Sequence, residues 1–378
     1  MRRFLTLLQA SFFLVAIFVI SPEIHAAQTP RHVFYLTIGP TITTYNVDLE
    51  TGVPTQVGTP LTISGVPFIG WIVAEPNDHF IYVFWPNSNQ YSVSVYDTDA
   101  SGVPQSPAVQ TLPAAGAQLM IHPSGKYAYV MQTTNGQQGY FSTLYLFHVD
   151  QKTGRLTRDP KIQATYGPDY FYTESLVSFN KAGTRLYDLW SVQFDGENNY
   201  SYSYHPVDVA TGQLNADVGT IFAASNFTGL DQTYFTTKLI LDLHNNNDGN
   251  GSELNVFQNV KNPTQPLFVC TQSMLNACSY ASNYWVSVDE QYVFLPDTSD
   301  VVIGRIDTTT KQITQTGSIP GNTFLYLSPE DKLIYGVDGS NNVIQVYRFD
   351  STSGTVTAGG STTFSASNGY GLYTAVRR

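Results

Sequence analysis

Three side chains of this sequence are the best candidates for acid–base chemistry: Glu174, Asp188 and His244. A carboxyl or imidazole group transfers protons efficiently when its surroundings bring its pKa close to the working pH. The three residues are far apart in sequence, so they could act together only if the fold gathered them on one face. No motif assigns a definite catalytic role to any of them.

One loop combines acids with aromatic rings. The segment ATYGPDYFYTE covers residues 164–174 and contains Asp169, Tyr170 and Tyr172. Aromatic rings can stack on a sugar or on another aromatic ring, but they can also simply cover a gap between packed sheets. The sequence leaves both interpretations open. We take these three residues, together with Asp231, as the candidate ligand-binding residues.

Metal and cofactor sites are not predicted. The segment LHNNNDGNGSE (243–253) is rich in oxygen ligands, but the glutamate that closes a twelve-residue calcium loop does not follow Gly249 or Gly251 at the required distance. A solvated hairpin loop explains the segment better. The chain also lacks the HExxH and CxxC patterns and a glycine-rich phosphate loop. We therefore expect no metal and no cofactor.

Cys270 and Cys278 are the only cysteines. Two cysteines this close in sequence favour a disulfide in an oxidising compartment, where it would stabilise one loop by about 2–3 kcal/mol. Two thiolates without a neighbouring histidine are too few ligands for zinc. We expect a Cys270–Cys278 disulfide.

The N-terminal residues have the order of an export signal. Arg2 and Arg3 precede an apolar run over residues 4–20, and the small-residue stretch HAAQ follows. This order predicts a signal peptide over residues 1–26, cleaved after Ala26 or Ala27, and a folded domain over 27–378. The apolar run is long for a signal, so an uncleaved anchor is the alternative. We expect the cleaved protein in the periplasm or outside the cell, without a membrane span.

Composition narrows the class of partner. The chain has 18 basic and 29 acidic residues, and no run of Lys and Arg offsets this balance. A nucleic-acid backbone would therefore be repelled. Aromatic residues make up 13 % of the chain and charged residues only 12 %, which favours β-strands joined by turns. We expect a small molecule, a glycan or a protein as the partner of a monomer.

A repeated pattern predicts the fold. An apolar run, a polar turn, an aromatic strand, a second apolar strand ending in Asp and a final strand recur along the chain. Copies start at Ile72, Met120, Leu176, Tyr234, Trp285 and Leu325, the copy at Tyr234 being degenerate. Units of about 42–58 residues with four short antiparallel strands are typical of β-propeller blades.

A further unit is split between the two ends of the sequence. HVFYLTIG and TITTYNVDLETGVP near the start supply its later strands, and GYGLYTAVRR supplies its first strand. Pairing these segments would close the ring of blades and leave only short edges exposed. The sequence therefore predicts an all-β fold, a single seven-bladed β-propeller closed by pairing of the N- and C-terminal strands in one split blade.

Two recurrent polar positions are explained by turns. His122 lies between the first two strands of its unit, where other units have Glu75, Asn180, Val288 and Ser328. This variety favours a structural role for His122. The Asp that ends the third strand can accept hydrogen bonds from the backbone N–H groups that follow it. We assign this turn role to Asp48, Asp150, Asp208 and Asp350.

The repeated units, from about His32 to Arg378, resemble those of the seven-bladed lactonase-type propellers, the family of 6-phosphogluconolactonase-like, muconate-cycloisomerase-like and YVTN repeat proteins. The resemblance is specific for the fold and weak for the activity. It implies an Arg and a Glu at set distances on either side of one turn glycine. Around Gly183 these positions are Ser175 and Ser191, and the other units also lack the pair.

Two functions are compatible with these observations. The missing pair and the aromatic loop favour an exported binding or interaction module without catalytic activity. The alternative, implied by the resemblance alone, is a lactone hydrolase or cycloisomerase of the same family.

Overall fold

The structure, a computed structural model, describes residues 31–378 apart from 77–78, 88–89, 114–117, 137–138, 170–172, 195–196, 217–221, 228–231, 236–238, 246–251, 259–268, 271–283, 288, 297–299, 322–323, 329–331, 339–340, 366–369 and 378. The predicted signal peptide lies outside the described residues. The described residues form strands and contain no helix, and therefore no helix that could cross a membrane.

The strands form seven sheets, numbered here along the chain and given in hydrogen-bonded order. Sheet 1 consists of β28 (Tyr370–Arg377), β1 (Arg31–Ile38), β2 (Thr41–Val47) and β3 (Pro54–Thr62). Sheet 2 consists of β4 (Trp71–Ala74), β5 (Phe80–Asn87), β6 (Gln90–Asp97) and β7 (Gln110–Leu112). Sheet 3 consists of β8 (Gln118–Ile121), β9 (Tyr127–Gly136), β10 (Gly139–Val149) and β11 (Leu156–Asp169).

The other four sheets follow the same plan with one exception. Sheet 4 consists of β12 (Thr173–Phe179), β13 (Arg185–Phe194), β14 (Glu197–Pro206) and β15 (Phe222–Phe227). Sheet 5 consists of β16 (Gln232–Phe235), β17 (Leu239–Asn245) and β18 (Ser252–Gln258). Sheet 6 consists of β20 (Trp285–Val286), β21 (Tyr292–Pro296), β22 (Asp300–Asp307), β23 (Gln312–Pro320) and β19 (Val269–Cys270). Sheet 7 consists of β24 (Phe324–Leu327), β25 (Leu333–Asp338), β26 (Val343–Asp350) and β27 (Thr355–Thr363).

Burial decreases from the second strand of a sheet to the fourth. In sheet 7 the first five residues of β25 are all buried, β26 alternates between buried and half-buried positions, and β27 is mostly exposed. A strand covered by neighbouring sheets on both faces has a continuous apolar sequence, whereas an outer strand does not. This gradient is the one expected for blades packed face to face around an axis.

The core lies between adjacent sheets. Between sheets 1 and 7, the Phe34 ring stacks on Tyr45 with centroids 4.7 Å apart and meets Tyr335 edge-on at 5.2 Å. Leu333, Val346 and Leu372 complete the same buried cluster. Such aromatic pairs stabilise a core beyond the area that they bury.

The two ends of the described chain meet in sheet 1, as the sequence predicts. β28 pairs antiparallel with β1, from Arg31 opposite Arg377 to Ile38 opposite Tyr370. β28 also contacts β4 and β24, the first strands of sheets 2 and 7. The first strands are therefore innermost, and the split blade closes a β-propeller.

Sheet 5 differs from the prediction of a four-stranded unit. Six of the seven sheets have at least four strands, whereas sheet 5 has three among the described residues. Residues 259–268, which the sequence predicts as the end of that unit, are not described. β19 pairs in parallel with β23 of sheet 6. A complete seventh blade therefore stays a prediction.

The turn role of the recurrent Asp is confirmed. Asp48 Oδ1 accepts hydrogen bonds from the N–H groups of Glu50 and Thr51 at 2.9 and 2.7 Å. Asp150, Asp208 and Asp350 accept equivalent bonds in their own turns. Asp307 does the same in sheet 6, although its turn lacks the glycine.

The turns between the first and second strands of sheets 2, 3, 6 and 7 share a buried polar residue, which is Glu75, His122, Ser287 or Ser328. The N–H of His122 bonds to the carbonyl of the residue five positions later, and the equivalent residue in sheet 6 is Ser287. The prediction that Val288 is the residue of sheet 6 equivalent to His122 was therefore wrong by one position. Ser287 Oγ accepts the N–H of Tyr292 at 2.9 Å, and His122 Nδ1 accepts the N–H of Ser124 at 3.1 Å. The position thus requires a hydrogen-bonding side chain.

Tyrosines of the second strands of sheets 1, 2 and 3 join each of these sheets to the next one. The hydroxyls of Tyr35, Tyr82 and Tyr129 donate to the carbonyls of Gly102, Gly154 and Gly212 at 3.0, 3.2 and 2.6 Å. Each acceptor lies in the turn before the fourth strand of the following sheet. A Cβ added to Gly212, whose φ is +74°, would lie 2.6 Å from the Tyr127 ring. Glycine is therefore required where this turn meets the neighbouring sheet.

Candidate functional site

The propeller has two faces with different structures. The turn face carries the short turns between first and second strands and between third and fourth strands, such as 122–127 and 150–155. The loop face carries the loops that lead into the first strands, such as 63–70, and those between second and third strands. Ligands of ring-shaped folds usually meet loops that converge on the axis, so the loop face is the candidate site.

Aromatic side chains cluster at the loop face of sheet 2. Trp71, the first residue of β4, stacks on Phe84 with ring centroids 4.5 Å apart and planes inclined by 16°. Its other neighbour is Tyr91, whose ring centroid lies 4.6 Å away. Trp71 and Tyr91 are half-buried, so both rings keep an exposed part. The side chain of Phe68, on the loop that leads into Trp71, is 48 % exposed.

The loop before Trp71 has little freedom in its backbone. The N–H of Gly70 donates to the Phe84 carbonyl at 2.8 Å, and its carbonyl accepts the hydroxyl of Tyr373 from β28 at 2.8 Å. A Cβ at Gly70 would lie 3.1 Å from the Tyr91 ring, which favours glycine there. Burial raises the pKa of the Tyr373 hydroxyl to about 12, so this donor keeps its proton at neutral pH.

Polar contacts lie at the same end of sheet 2 but on its other surface, because Trp85 and Asn87 alternate with Phe84 along β5. Trp85 Nε1 donates to Ser94 Oγ at 3.0 Å, and Asn87 Nδ2 donates to Ser92 Oγ at 3.3 Å. Trp85 is half-buried and Asn87 is exposed. We call the set Phe68, Trp71, Trp85, Asn87 and Tyr91 the aromatic patch. Aromatic rings, with amide and hydroxyl groups at the same end of a sheet, are side chains suited to binding a sugar.

The catalytic candidates lie on strands of sheets 4 and 5. Glu174 pairs with Trp190 near the start of β12, and His244 pairs with Glu253 near the end of β17. Both backbone positions are towards the loop face. The side chains of Glu174 and His244 are not among the described parts of the structure, so their joint action stays a prediction.

Asp188 has a well-defined and buried environment. Its carboxylate is 0 % exposed, accepts a hydrogen bond from the Ser203 hydroxyl, and lies 3.2 Å from His205 Nε2. The Nδ1 atom of His205 lies 3.3 Å from the carbonyl oxygen of Asn215. A carboxylate buried with these partners connects β13 to β14. No local sequence pattern predicts this pair.

Most ligand-binding candidates fall outside the described residues. Asp169 pairs through its backbone with Tyr140 at the end of β11, on the loop face. Tyr170, Tyr172 and Asp231 are not described. Of the predicted disulfide, only the backbone of Cys270 in β19 is described and Cys278 is not, so this bridge stays a prediction.

A cavity of about 520 Å³ opens on the turn face between sheets 5 and 6. Its lining includes Asp289, Glu290, Arg305 and Asp307, so negative charge predominates. Among the described residues, no group of three or more His, Cys, Asp or Glu side chains could hold a metal ion. The cavity is thus a polar depression away from the aromatic patch.

Comparisons by sequence identify no relative: no family profile and no curated protein matches the chain. Solved structures do match its fold. A candidate 6-phosphogluconolactonase from Bacteroides fragilis superposes with a TM-score of 0.59 and 16 % identity, covering 91 % of this chain and 98 % of that chain. A candidate 6-phosphogluconolactonase from Bacteroides uniformis gives 0.60 and 15 %, covering 92 % and 100 %.

A third similar structure is the periplasmic gluconolactonase of Pseudomonas aeruginosa, with a TM-score of 0.53 and 13 % identity over 90 % of this chain and 99 % of that chain. Identities this low establish the fold and not the reaction. The coverage extends over nearly the whole of both chains. This chain therefore has the β-propeller fold of the 6-phosphogluconolactonase-like proteins.

Proposed function

We propose that this protein is an exported, non-catalytic propeller that binds a carbohydrate at the aromatic patch on the loop face of sheet 2. The observation that carries the proposal is the exposed Phe68 ring and the half-buried Trp71 and Tyr91 rings, with polar groups at the same end of the sheet. The apolar run before Ala26 supports export, and the periplasmic location of one structural neighbour is consistent with it.

The missing acid–base pair also supports binding over catalysis. In the unit around Gly183, Ser175 and Ser191 occupy the two positions where the resemblance implies an Arg and a Glu. A serine there offers neither a fixed cation nor a general base. Opening a lactone requires a group that activates water and a donor for the developing oxyanion, the latter often contributing about 3–4 kcal/mol. We therefore expect no hydrolysis of δ-lactones above that of a control propeller.

The binding test compares two exposed apolar residues. Phe68→Ala removes an aromatic ring from the patch, whereas Val53→Ala removes a side chain of similar exposure, 46 %, near a turn on the opposite face. With cello-, malto- and chito-oligosaccharides as probes in isothermal titration calorimetry, we expect Phe68→Ala to weaken binding about 2- to 10-fold. Val53→Ala should leave the affinity unchanged. Equal affinities for both variants would contradict the assignment of the patch.

The alternative function is lactone hydrolysis, which the fold of the structural neighbours favours. A pH-stat assay on gluconolactone substrates separates the two functions. Saturable turnover that disappears in Glu174→Gln or His244→Ala would establish the enzyme and reject the non-catalytic module. Glycan binding without turnover supports our proposal.

A further inference from the structure

The turn face carries a concentration of positive charge that the net charge of −11 does not suggest. Five basic side chains lie on or beside turns of sheets 3 and 4, and two more follow on β11, the outermost strand of sheet 3. We call this set the basic arc. The turn residues are Lys126, Lys152, Arg155, Lys181 and Arg185, and the strand residues are Arg158 and Lys161.

Hydrogen bonds between turns make the basic arc one continuous surface. His122 Nε2 donates to the Gly183 carbonyl at 2.8 Å, which joins the turn of Lys126 to the turn of Lys181. Gln151 Nε2 donates to the Gly125 carbonyl at 2.7 Å, which joins the turns of Lys126 and Lys152. Residues up to 59 positions apart in sequence therefore act as neighbours, which explains why no charge run marks them.

Aromatic rings hold two of the arginines in place. The guanidinium carbon of Arg158 lies 3.6 Å from the Tyr145 ring centroid, and that of Arg185 lies 4.6 Å from the Tyr204 centroid. A guanidinium group near a ring face loses little further side-chain entropy on binding, and its N–H groups point outward in its plane. Such groups are suited to paired hydrogen bonds with carboxylates.

The nearby carboxylates are engaged elsewhere. Asp150 and Asp208 hold their own turns, and Asp159 lies 3.1 Å from both His148 Nε2 and Gln213 Nε2. No carboxylate of the described residues forms an ion pair with a member of the basic arc. These three carboxylates remain ionised, and Lys152 acts electrostatically on Asp150, but the seven basic side chains of the arc outnumber them.

We propose that the basic arc binds an acidic polysaccharide, a chain of sugars that carries regularly spaced carboxylates. The arc covers two surfaces, because Arg155 lies at the turn face and Lys161 lies further up the outer strand, next to Ile162, which pairs with Tyr145. A flexible polymer can follow both surfaces, whereas a planar lipid surface can contact only one of them.

Charge density also favours a polysaccharide over a nucleic acid. Duplex DNA carries one charge per about 1.7 Å and would be repelled by the acidic remainder of the molecule. A polymer of widely spaced carboxylates meets less repulsion, since the other charges are screened beyond about 8–10 Å. The Tyr145 ring also has a guanidinium against one face, so that face cannot stack on a base.

The experiment uses sodium polygalacturonate as the probe, with dextran as the uncharged polymer. The test variant combines Lys152→Glu with Lys161→Glu. The control variant combines Lys311→Glu with Lys332→Glu, two exposed lysines in turns of sheets 6 and 7 on the same face. Both variants change the net charge equally, so only the position of the charge differs. Equal melting temperatures establish that both are folded.

We expect salt-sensitive binding to polygalacturonate, absent for dextran, that falls about tenfold in the test variant because two ionic contacts with carboxylates are lost. The control variant should stay within about twofold of the unchanged protein. The proposal is rejected if the protein does not bind polygalacturonate or if both variants lose the same affinity for it. It is also rejected if the protein binds phosphatidylglycerol vesicles or duplex DNA more tightly than polygalacturonate. Phe68→Ala should leave this binding unchanged, which separates it from the carbohydrate site on the loop face.

Discussion

Tyr129 and Tyr335 have equivalent places in sheets 3 and 7, but their hydroxyl groups differ. Both side chains are completely buried. The Tyr129 hydroxyl donates to Gly212, whereas the Tyr335 hydroxyl has no hydrogen-bond partner in the part of the chain that the structure describes. A buried hydrogen bond stabilises by about 0.5–1.5 kcal/mol, and a buried unsatisfied group costs about 1–3 kcal/mol. The same phenol therefore stabilises one sheet boundary and not the other.

Removal of the two hydroxyls tests this difference. We expect Tyr129→Phe to lower the free energy of unfolding by about 1–2 kcal/mol, because the Gly212 carbonyl loses its donor. Tyr335→Phe should leave the free energy of unfolding unchanged or raise it. Urea denaturation followed by tryptophan fluorescence measures both. An equal loss in the two variants would show that the inter-sheet hydrogen bond is not the stabilising contact.

Two residues of the structure show which features can be predicted from the sequence and which cannot. The structural role of His122 is predicted from the variety of residues at its position in other repeats, and its hydrogen bonds within and between turns confirm it. The Asp188–His205 pair could not be found in this way, because it depends on which residues of β13 and β14 are opposite each other. Asp188 pairs with Ser203 and Leu186 pairs with His205, so the Asp188 and His205 side chains meet diagonally on one face.

At the scale of the element, the turn aspartates link stability to pH. Hydrogen bonds hold the pKa of Asp48, Asp150, Asp208 and Asp307 below the ordinary value of 3.8, in each case chiefly a bond from a backbone N–H group. For Asp350 the largest cause of the lowered pKa is the Ser353 hydroxyl. A pKa lowered by folding means that the ionised carboxylate stabilises the folded state.

The direction of these pKa shifts predicts how stability changes with pH. The stabilisation is complete above the unfolded pKa and is lost as the pH falls through the lower, folded pKa. We expect the melting temperature to fall steeply below about pH 4. Asp150→Asn, which keeps an acceptor oxygen without titrating, should flatten this fall, and Asp300→Asn, outside these turns, should not. Parallel curves for both variants would contradict the role of the turn.

The closing strand provides the second prediction at this scale. Deleting residues 369–378 removes β28, exposes the edge of β1 and uncovers buried Phe34 and Leu36. We expect a loss of several kcal/mol from the free energy of unfolding, by lost apolar burial alone. A protein shortened only by Arg378 is the control, since Arg377 is the last paired residue. An unchanged melting temperature after the longer deletion would refute the closure.

The positions of the strands were easier to predict from the sequence than the pairing between strands. The repeat starting at Met120 predicts β8 to β11, because the apolar runs and the Pro-Ser-Gly turn are local features. The parallel pairing of β19 with β23 joins residues more than 40 positions apart, and no local pattern encodes it. The aromatic patch was missed for a similar reason: Trp71, Phe84 and Tyr91 come from three strands and meet only through their register.

At the scale of the whole molecule, the two faces have different chemistry. The loop face offers aromatic rings on sheet 2, and the turn face offers the basic arc on sheets 3 and 4. Net charge alone predicts repulsion of every anion. The basic arc could not be predicted from the sequence, because its residues come from turns of separate repeats. A ring of repeats thus lets each sector of each face evolve its own surface on a common core.

The pairing of β1 with β28 also determines when the ring can close during synthesis. The Thr37 hydroxyl bonds to the Gly371 carbonyl, 334 positions later in the chain. At about 5–20 residues per second, a ribosome finishes β28 roughly 20–70 s after β1. Throughout that interval β1 lacks one partner, and the ring stays open however many blades have formed. The core between sheets 1 and 7, which includes Leu372 of β28, therefore cannot be completed before β28 has been synthesised.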